Sequence, residues 1–280
     1  MIKILKIFGK YLIVIILFLI IFFPYFWLFN TSLKEFAEVY VLPPTIPPKK
    51  PTLENYYNVL TGNTAFAAPW PTFFRNSIIV ASITAVLTSI LASFAGYALS
   101  RIRMPGRRTL LFAILLAWMF PGPSILIPVL DTMKKIGLYN SLIGLGILHT
   151  TFALPVATWL AFGTFRSIPK ELEEAAMIEG ASRMKVFLRI AIPLGRIGIT
   201  SIALLAFLLS WTEFVFALVL MPDVPNKTLP LGLVSFTRDY TIYWMDTGSA
   251  SILFSLPIVL ILILAEKQFV KGMSAGALKA

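Results

Sequence analysis

The chain offers few side chains that can do chemistry. It contains no cysteine and a single histidine, His149, which removes thiolate nucleophiles, disulfides and Cys/His metal sites. Of the 13 acidic residues, only Glu213 lies inside a long apolar stretch. A carboxylate in a bilayer is costly, so Glu213 is expected to face protein or water. With one histidine and one such acid no catalytic constellation is available, and the sequence predicts that the chain is not an enzyme and binds no metal.

Glu213 and His149 each leave two interpretations open. Either residue could contact a solute on its way through the membrane, or it could be a hydrogen-bonded structural group between helices. The tryptophans inside apolar stretches are also candidates for a solute path, because small-molecule pockets combine aromatic rings with a few polar groups. Packing against lipid or protein explains them equally well: Trp118, Trp159 and Trp211.

The composition places the chain in a membrane. Hydrophobic residues make up 58% of it and charged residues 13%, whereas soluble domains have about 45–50% and about 25%. Six apolar stretches approach or exceed the roughly 20 residues that a spanning helix needs. They predict an all-α protein with six transmembrane helices: 11–33, 76–100, 109–130, 136–165, 197–222 and 247–265. The run 55–74 is also uncharged, but its Asn, Gly and Pro content predicts an extramembrane segment.

Small residues and prolines predict how some of these spans pack and where one of them is interrupted. Spacing of four residues between small side chains lets helices approach closely in lipid. It predicts packed faces in the second and fourth spans: Ala81, Ala85, Ser89 and Ser93; Ala153, Ala157 and Ala161. Three prolines break the backbone pattern of the third span, as in helices that line a cavity: Pro121, Pro123 and Pro128.

The placement of Lys and Arg predicts the topology. With the N-terminus in the cytoplasm, 16 of the 24 basic residues lie on the cytoplasmic side, and the outer loops hold 7 of the 13 acids. We therefore expect a multi-pass protein of the cell (cytoplasmic) membrane with both termini cytoplasmic. The net charge of +11 lies between apolar runs and forms no face that would bind nucleic acid.

The same topology predicts a domain organisation. Residues 1–71 hold the first span and an extracytoplasmic loop, 72–270 form a core of five spans, and 271–280 are a cytoplasmic tail. The outer loops 34–75 and 223–246 are candidates for contact with an extracytoplasmic partner. The second loop carries aromatic residues that could instead anchor it at the bilayer surface: Tyr240, Tyr243 and Trp244.

The segment 166–196 is the longest predicted cytoplasmic loop and the most charged part of the chain. Its first half predicts a helix that begins near Ser167, with acidic residues in the first turns and Gly180 able to end it with positive φ. Ser182 can cap a second helix, predicted to run to about Ile192 and to stop at Pro193. On spacing alone, docking to a partner and a plain connection between spans are equal alternatives.

This loop carries a resemblance to a known family. Glu174-Ala175-Ala176, followed by Gly180 and Ile192-Pro193, resembles the EAA motif in permease subunits of binding-protein-dependent ABC importers. Further segments resemble the MalG-like carbohydrate permeases of that family: Pro24-Tyr25-Phe26-Trp27, Arg75-Asn76-Ser77, Gly96-Tyr97-Ala98-Leu99-Ser100-Arg101, Ser210-Trp211-Thr212-Glu213-Phe214 and Phe269-Val270-Lys271-Gly272.

The resemblance implies a fold, a role and partners. It implies the type I ABC importer permease fold and half of a path for a mono- or oligosaccharide. The partners would be a second homologous permease, two cytoplasmic ATPase subunits and an extracytoplasmic solute-binding protein. The first helix of the loop would be a coupling helix that docks on the ATPase through Glu173, Glu174, Ala175, Ala176, Glu179 and Gly180. ATP and Mg would bind the ATPases, because this chain has no Gly-x-x-x-x-Gly-Lys-Ser/Thr sequence and is expected to hold no cofactor.

Two other functions stay open as alternatives. An importer of the same class could carry a non-sugar solute such as glycerol phosphate, although no Lys or Arg lies within the six predicted spans to bind a phosphate. A self-contained secondary transporter is the second alternative. It would predict inverted repeats with matched broken helices, and the sequence shows no such symmetry.

Overall fold

The computed structural model of the chain describes residues 2–63, 70–234, 236–238 and 241–277. Within these ranges the regular structure is almost all helical, and one two-residue antiparallel ladder pairs Thr237 with Ile242. The helices are α1 Ile2–Ser32, α2 Phe36–Val39, α3 Glu54–Thr61, α4 Trp70–Arg101, α5 Arg107–Trp118, α6 Leu126–Lys135, α7 Leu142–Arg166, α8 Lys170–Ile178, α9 Arg183–Val186, α10 Ile192–Trp211, α11 Val215–Leu220, α12 Leu229–Val234 and α13 Trp244–Ala277. The strands are β1 Thr237–Arg238 and β2 Thr241–Ile242.

In the part of the chain that the structure describes, five segments are long and apolar enough to cross a membrane, and they correspond to the first, second, fourth, fifth and sixth predicted spans. A sixth crossing arises if α5 and the segment Gly122–Lys135 are counted as one bent span. The predicted all-α fold class is confirmed. The five continuous segments are Gly9–Ser32, Trp70–Arg101, Leu142–Arg166, Arg183–Trp211 and Trp244–Ile263.

The third predicted span is sharply bent. Its two halves meet at an angle of 84°, just after α5 ends at Trp118. Pro121 precedes a short 3-10 helix, Gly122–Ile125, with Pro123 in its first turn. Neither proline has an N–H to donate, so the helical hydrogen-bond pattern cannot continue through this segment. At the break that the prolines predict, the helix axis thus changes direction sharply.

Several helix ends differ from the ends of the predicted spans. The helix of the second span begins at Trp70, so residues 70–74 are helical, and the helix of the fourth span begins at Leu142 and not at 136. The fifth predicted span reaches 222, but its helix ends at Trp211, and α11 forms a separate short helix after an interruption at 212–214. These differences arise because the ends of apolar runs do not locate helix ends.

The chain divides into two compact units: Met1–Pro71 with Gly232–Pro257, and Thr72–Leu231 with Ile258–Ala280. In the first unit, the side-chain amide of Asn55 on α3 donates to the carbonyls of Ser32 and Lys34, each at 2.9 Å. Gly248 on α13 lies against the end of α1, where an added Cβ would be 3.0 Å from the carbonyl oxygen of Leu28. The predicted domain boundaries stay a prediction.

In the second unit, α7 packs closely against α4 and α10. A Cβ added to Gly96 of α4 would lie 2.4 Å from Cβ of Ala161. The predicted small-residue face of α7 is buried: Ala153, Ala157 and Ala161. On α4, Ala81 and Ser93 are buried, but Ala85 and Ser89 are only half-buried, and the closest approach falls at Gly96 instead. Small side chains therefore set this helix packing, as expected in lipid.

Candidate functional site

The first helix of the predicted hairpin is α8, and α8 ends in a tight left-handed turn. Gly180 has φ of +90°, a value that side-chain-bearing residues rarely adopt. The amide of Gly180 donates to the carbonyl of Met177 at 3.0 Å, and that of Ala181 to the carbonyl of Ala176 at 3.0 Å. This pair of bonds is a Schellman motif, which satisfies the last carbonyls of α8. The Ser182 hydroxyl then accepts from the amide of Lys185 and caps α9 as predicted.

The second helix of the hairpin does not stop at Pro193, contrary to the prediction. It continues through a π-helical turn, Phe187–Ala191, directly into α10. Pro193 is the second residue of α10 and follows the π-helical turn directly. The widened π turn changes the hydrogen-bond spacing just before the proline and so accommodates its missing N–H. The hairpin and the fifth span therefore share one continuous helix, Arg183–Trp211.

A buried ion pair attaches α8 to the end of α4. Arg101 Nη2 lies 2.7 Å from Glu173 Oε1, and Arg101 Nε donates to both carboxylate oxygens at 2.9 and 3.0 Å. The hydroxyl of Tyr97 donates to Glu173 Oε2 at 3.0 Å, and Arg101 Nη2 also donates to the carbonyl of Ile168 at 3.0 Å. The side chains of Arg101 and Glu173 are only 9% and 4% exposed. We call Tyr97, Arg101 and Glu173 the α4–α8 clamp.

Because of the clamp, Glu173 is buried, unlike most of the other residues predicted to meet an ATPase. Its carboxylate is buried within the chain and holds α8 against α4, and contact of Glu173 with an ATPase stays a prediction. Sequence reasoning missed its partners. The signal available was the Tyr97-x-x-x-Arg101 spacing at the end of the second span, which puts both side chains on one helix face.

The remaining predicted residues form the outer face of α8 and its turn. Glu174, Ala175, Glu179 and Gly180 are exposed, and Ala176 is half-buried. The prediction missed apolar neighbours on this surface, of which Ile178 is 88% exposed. Leu172 and Met177 are exposed as well. Apolar side chains exposed beside charged ones are typical of a protein contact site. In the sequence, these residues could have been recognised by their position among the acidic residues of the loop.

A chain of polar side chains crosses the helices of the second unit. His149 Nδ1 lies 2.8 Å from the Ser210 hydroxyl, and His149 Nε2 lies 3.1 Å from Glu213 Oε2. The hydroxyl of Thr84 lies 3.3 Å from that of Ser210. The structure thus brings together His149 and Glu213 and adds two hydroxyls that sequence reasoning missed.

The Glu213 carboxylate also caps α11. It accepts from the amide of Phe216 at 2.8 Å and from the amide of Ala217 at 3.1 Å, so it holds the interruption between α10 and α11. These contacts are what a structural acid requires, and contact of Glu213 or His149 with a solute stays a prediction.

Replacing His149 with alanine distinguishes the two interpretations. We expect the free energy of unfolding to fall by about 1–3 kcal/mol, because Ser210 loses a buried hydrogen bond and Glu213 a partly buried one. Thermal unfolding of the purified protein, followed by tryptophan fluorescence, measures this effect. Thr151→Ala, at an exposed position half a turn away, is the control and should leave the midpoint unchanged. An unchanged midpoint with loss of solute uptake would assign His149 to the solute path.

The three candidate tryptophans have different surroundings. Trp211 is fully buried and its ring stacks on Phe207 at 5.5 Å, so it packs inside the chain. Trp118 and Trp159 are both exposed on the chain's own surface. Their contact with a solute stays a prediction.

The residues predicted to meet an extracytoplasmic partner are partly described. The Tyr243 ring lies 5.7 Å from that of Phe36, and Trp244 begins α13 with an exposed side chain. Tyr240 lies outside the described residues. Their contact with a binding protein stays a prediction.

The helices and the α8 hairpin define a polytopic helical membrane protein with the fold of an ABC-transporter permease. The structure superimposes on a chain from the crystal structure of a bacterial ABC transporter involved in the import of the acidic polysaccharide alginate. The TM-score is 0.78 at 23% identity, over 94% of this chain and 96% of the other.

Residues 88–274 match the family of binding-protein-dependent transport system inner membrane components, and the chain belongs to that family. It is 34% identical to the inner membrane ABC transporter permease protein YcjP of Escherichia coli, over 94% of this chain and 93% of YcjP. It is 35% identical to the trehalose/maltose transport system permease protein MalG of Thermococcus litoralis, over 95% of this chain and 94% of MalG. The chain is therefore a membrane-embedded transport component.

Proposed function

We propose that this chain is a permease subunit of an ATP-driven sugar importer and forms half of the translocation pathway. The observation that carries the proposal is the α8 hairpin. It presents the exposed residues of the EAA motif while the α4–α8 clamp and the continuous α9–α10 helix connect it to two spans. A force applied to α8 would reach both spans, which is what coupling to a separate motor requires.

The motor belongs to other subunits. The sequence has no Walker A loop, so ATP and Mg would be bound by two ATPase subunits that grip α8. ATP-driven closure of these ATPases would shift the permease between inward-open and outward-open states by binding one state more tightly. In this arrangement the hairpin and both termini are cytoplasmic, as the positive-inside rule favours. A second permease and an extracytoplasmic binding protein would complete the importer.

A sugar is the solute that the relatives favour. The MalG relative is named for trehalose and maltose, and it covers nearly the whole chain. The segments 76–100, 136–165 and 197–222 contain no Lys or Arg, so this chain offers no cation there for a phosphorylated solute. An uncharged sugar needs hydrogen-bonding groups and aromatic rings, not a counter-ion.

Reconstitution tests the proposal. We expect the chain, co-expressed with its partner permease and ATPases and placed in proteoliposomes, to take up labelled trehalose or maltose. Uptake should require both ATP and the binding protein, and ADP in place of ATP is the control. Uptake driven by an ion gradient without ATP would make the chain a secondary transporter. ATP-driven uptake of glycerol phosphate with no disaccharide uptake would contradict the sugar assignment.

A further inference from the structure

The second unit contains a groove at the ends of three helices, and of the candidate solute-path residues only Trp159 is among its described lining residues. It has a volume of about 970 Å³ and lies between the start of α5, the end of α7 and the start of α10. This volume is at the upper end of the range for ligand pockets, about 300–1,000 Å³. Three arginines line it and no acidic residue does. They are Arg107, Arg108 and Arg166.

Across the described ranges of the chain, the arginines lack a nearby acid to balance their charge. Arg107 and Arg108 lie in the first turn of α5, which contains no acidic residue. The positive end of the helix dipole disfavours cations at that position. Arg107 donates to the carbonyl of Leu99 at 3.4 Å, and the guanidinium carbons of Arg107 and Arg166 lie 5.7 and 5.8 Å from the centroid of the Phe162 ring. Among the residues that the structure describes, none of the three arginines forms an ion pair with a carboxylate.

The walls of the groove are apolar. Phe112, Trp159 and Leu194 line it with exposed side chains. Gly163 on α7 adds open space, because no atom lies within 4 Å of the position its Cβ would occupy. A soluble anion would use the arginines and leave these walls facing water. A ligand with an anionic head and a hydrocarbon chain uses both parts of the groove.

We propose that this groove binds an anionic phospholipid from the leaflet on the same side of the membrane as α8. Arg107, Arg108 and Arg166 hold the phosphate, and an acyl chain lies along Phe112, Trp159 and Leu194. Basic pockets between transmembrane helices on the cytoplasmic side commonly bind such headgroups. The site touches the ends of α7 and α10 on either side of the α8 hairpin, so the lipid would stabilise the frame to which the hairpin is attached.

Trp159 supplies a local readout. We would place the full chain, with its co-expressed subunits, in nanodiscs of phosphatidylcholine with increasing amounts of brominated phosphatidylglycerol. Quenching at Trp159 is the difference between the wild-type signal and that of Trp159→Phe. We expect brominated phosphatidylglycerol to quench at a mole fraction about tenfold lower than brominated phosphatidylcholine does. The measurement needs no transport, so failure of the proposed function and failure of this inference are distinguishable.

Two variants test the two halves of the site. Arg108→Gln with Arg166→Gln should raise the half-quenching mole fraction of brominated phosphatidylglycerol about tenfold, to that of brominated phosphatidylcholine, because each guanidinium near an anionic headgroup contributes about fivefold. Lys185→Gln with Arg189→Gln removes the same charge from the same side of the chain and should not raise it. Gly163→Leu should weaken quenching without a change in charge, because its side chain fills the space for the acyl chain.

Three results would overturn the inference. Equal quenching by the two lipids, or equal effects of the two double variants, would show that the arginines select no headgroup. Displacement of the brominated lipid by soluble glycerol phosphate would make the free phosphate compound the ligand. No quenching of Trp159 by either lipid would mean that another subunit covers the groove.

Discussion

Replacing Glu173 with glutamine is expected to lower ATP-driven transport by at least about tenfold. The substitution leaves Arg101 buried with a neutral partner, and breaking a buried pair by removing one charge costs about 3–5 kcal/mol. A tenfold change in an equilibrium needs only about 1.4 kcal/mol, so the equilibrium constant for holding α8 against α4 should fall by more than tenfold. Solute uptake and ATP hydrolysis, measured on the same proteoliposomes, report the loss of coupling.

The matched control is Glu171→Gln, which makes the same change two residues earlier, at an exposed position of α8. It should keep uptake near the wild-type level. Exchanging the charges, with Arg101→Glu and Glu173→Arg in one chain, should restore part of the activity if the pair acts as a clamp. Wild-type uptake in Glu173→Gln would show that α8 needs no attachment to α4.

Replacing Gly180 with valine is expected to uncouple ATP hydrolysis from transport. A β-branched side chain at φ of +90° is strained by about 1–2 kcal/mol, although the space around the residue is open. The turn relieves this strain by giving up its Schellman bonds, which changes how α8 leads into α9. We expect uptake to fall roughly tenfold while the subunits still assemble and ATP is still hydrolysed.

Gly137 offers a control with the same backbone requirement. It has φ of +71° and equally open surroundings, but it lies in the turn after α6. Gly137→Val should cost similar stability and leave ATP hydrolysis coupled to uptake. Gly180→Asn should be milder than Gly180→Val, because asparagine tolerates positive φ better than branched residues do. Full coupling in Gly180→Val would remove the turn from the mechanism.

The sequence predicted the parts of the fold that depend on local chemistry. Apolar length identified the spans, and the residue types at Gly180 and Ser182 identified the turn and the cap, because each solves a local hydrogen-bonding problem. The prolines after Trp118 marked a break in the third span, but its 84° angle depends on packing that a linear pattern does not contain.

Most of the errors occur where distant segments decide the outcome. Glu173 is one of several acids on α8, and only its meeting with Arg101, 72 residues earlier, distinguishes it from its neighbours. Similarly, Ser210 joins His149 and Glu213 only after α7 and α10 have packed. The rule that proline ends a helix fails at Pro193 for a local reason, since it does not anticipate a π-helical turn in front of the proline.

The unbroken helix from Arg183 to Trp211 has a mechanical consequence. At 1.5 Å per residue its 29 residues form a helix about 44 Å long, which carries displacement from one end to the other. Changes of angle are then expected at its two ends, at the glycine turn before it and at the interruption before α11, and inside it at the π-helical turn before Pro193. Each end is a joint whose resting angle is fixed by a few hydrogen bonds, so its compliance can be altered by one residue without touching the rest of the helix.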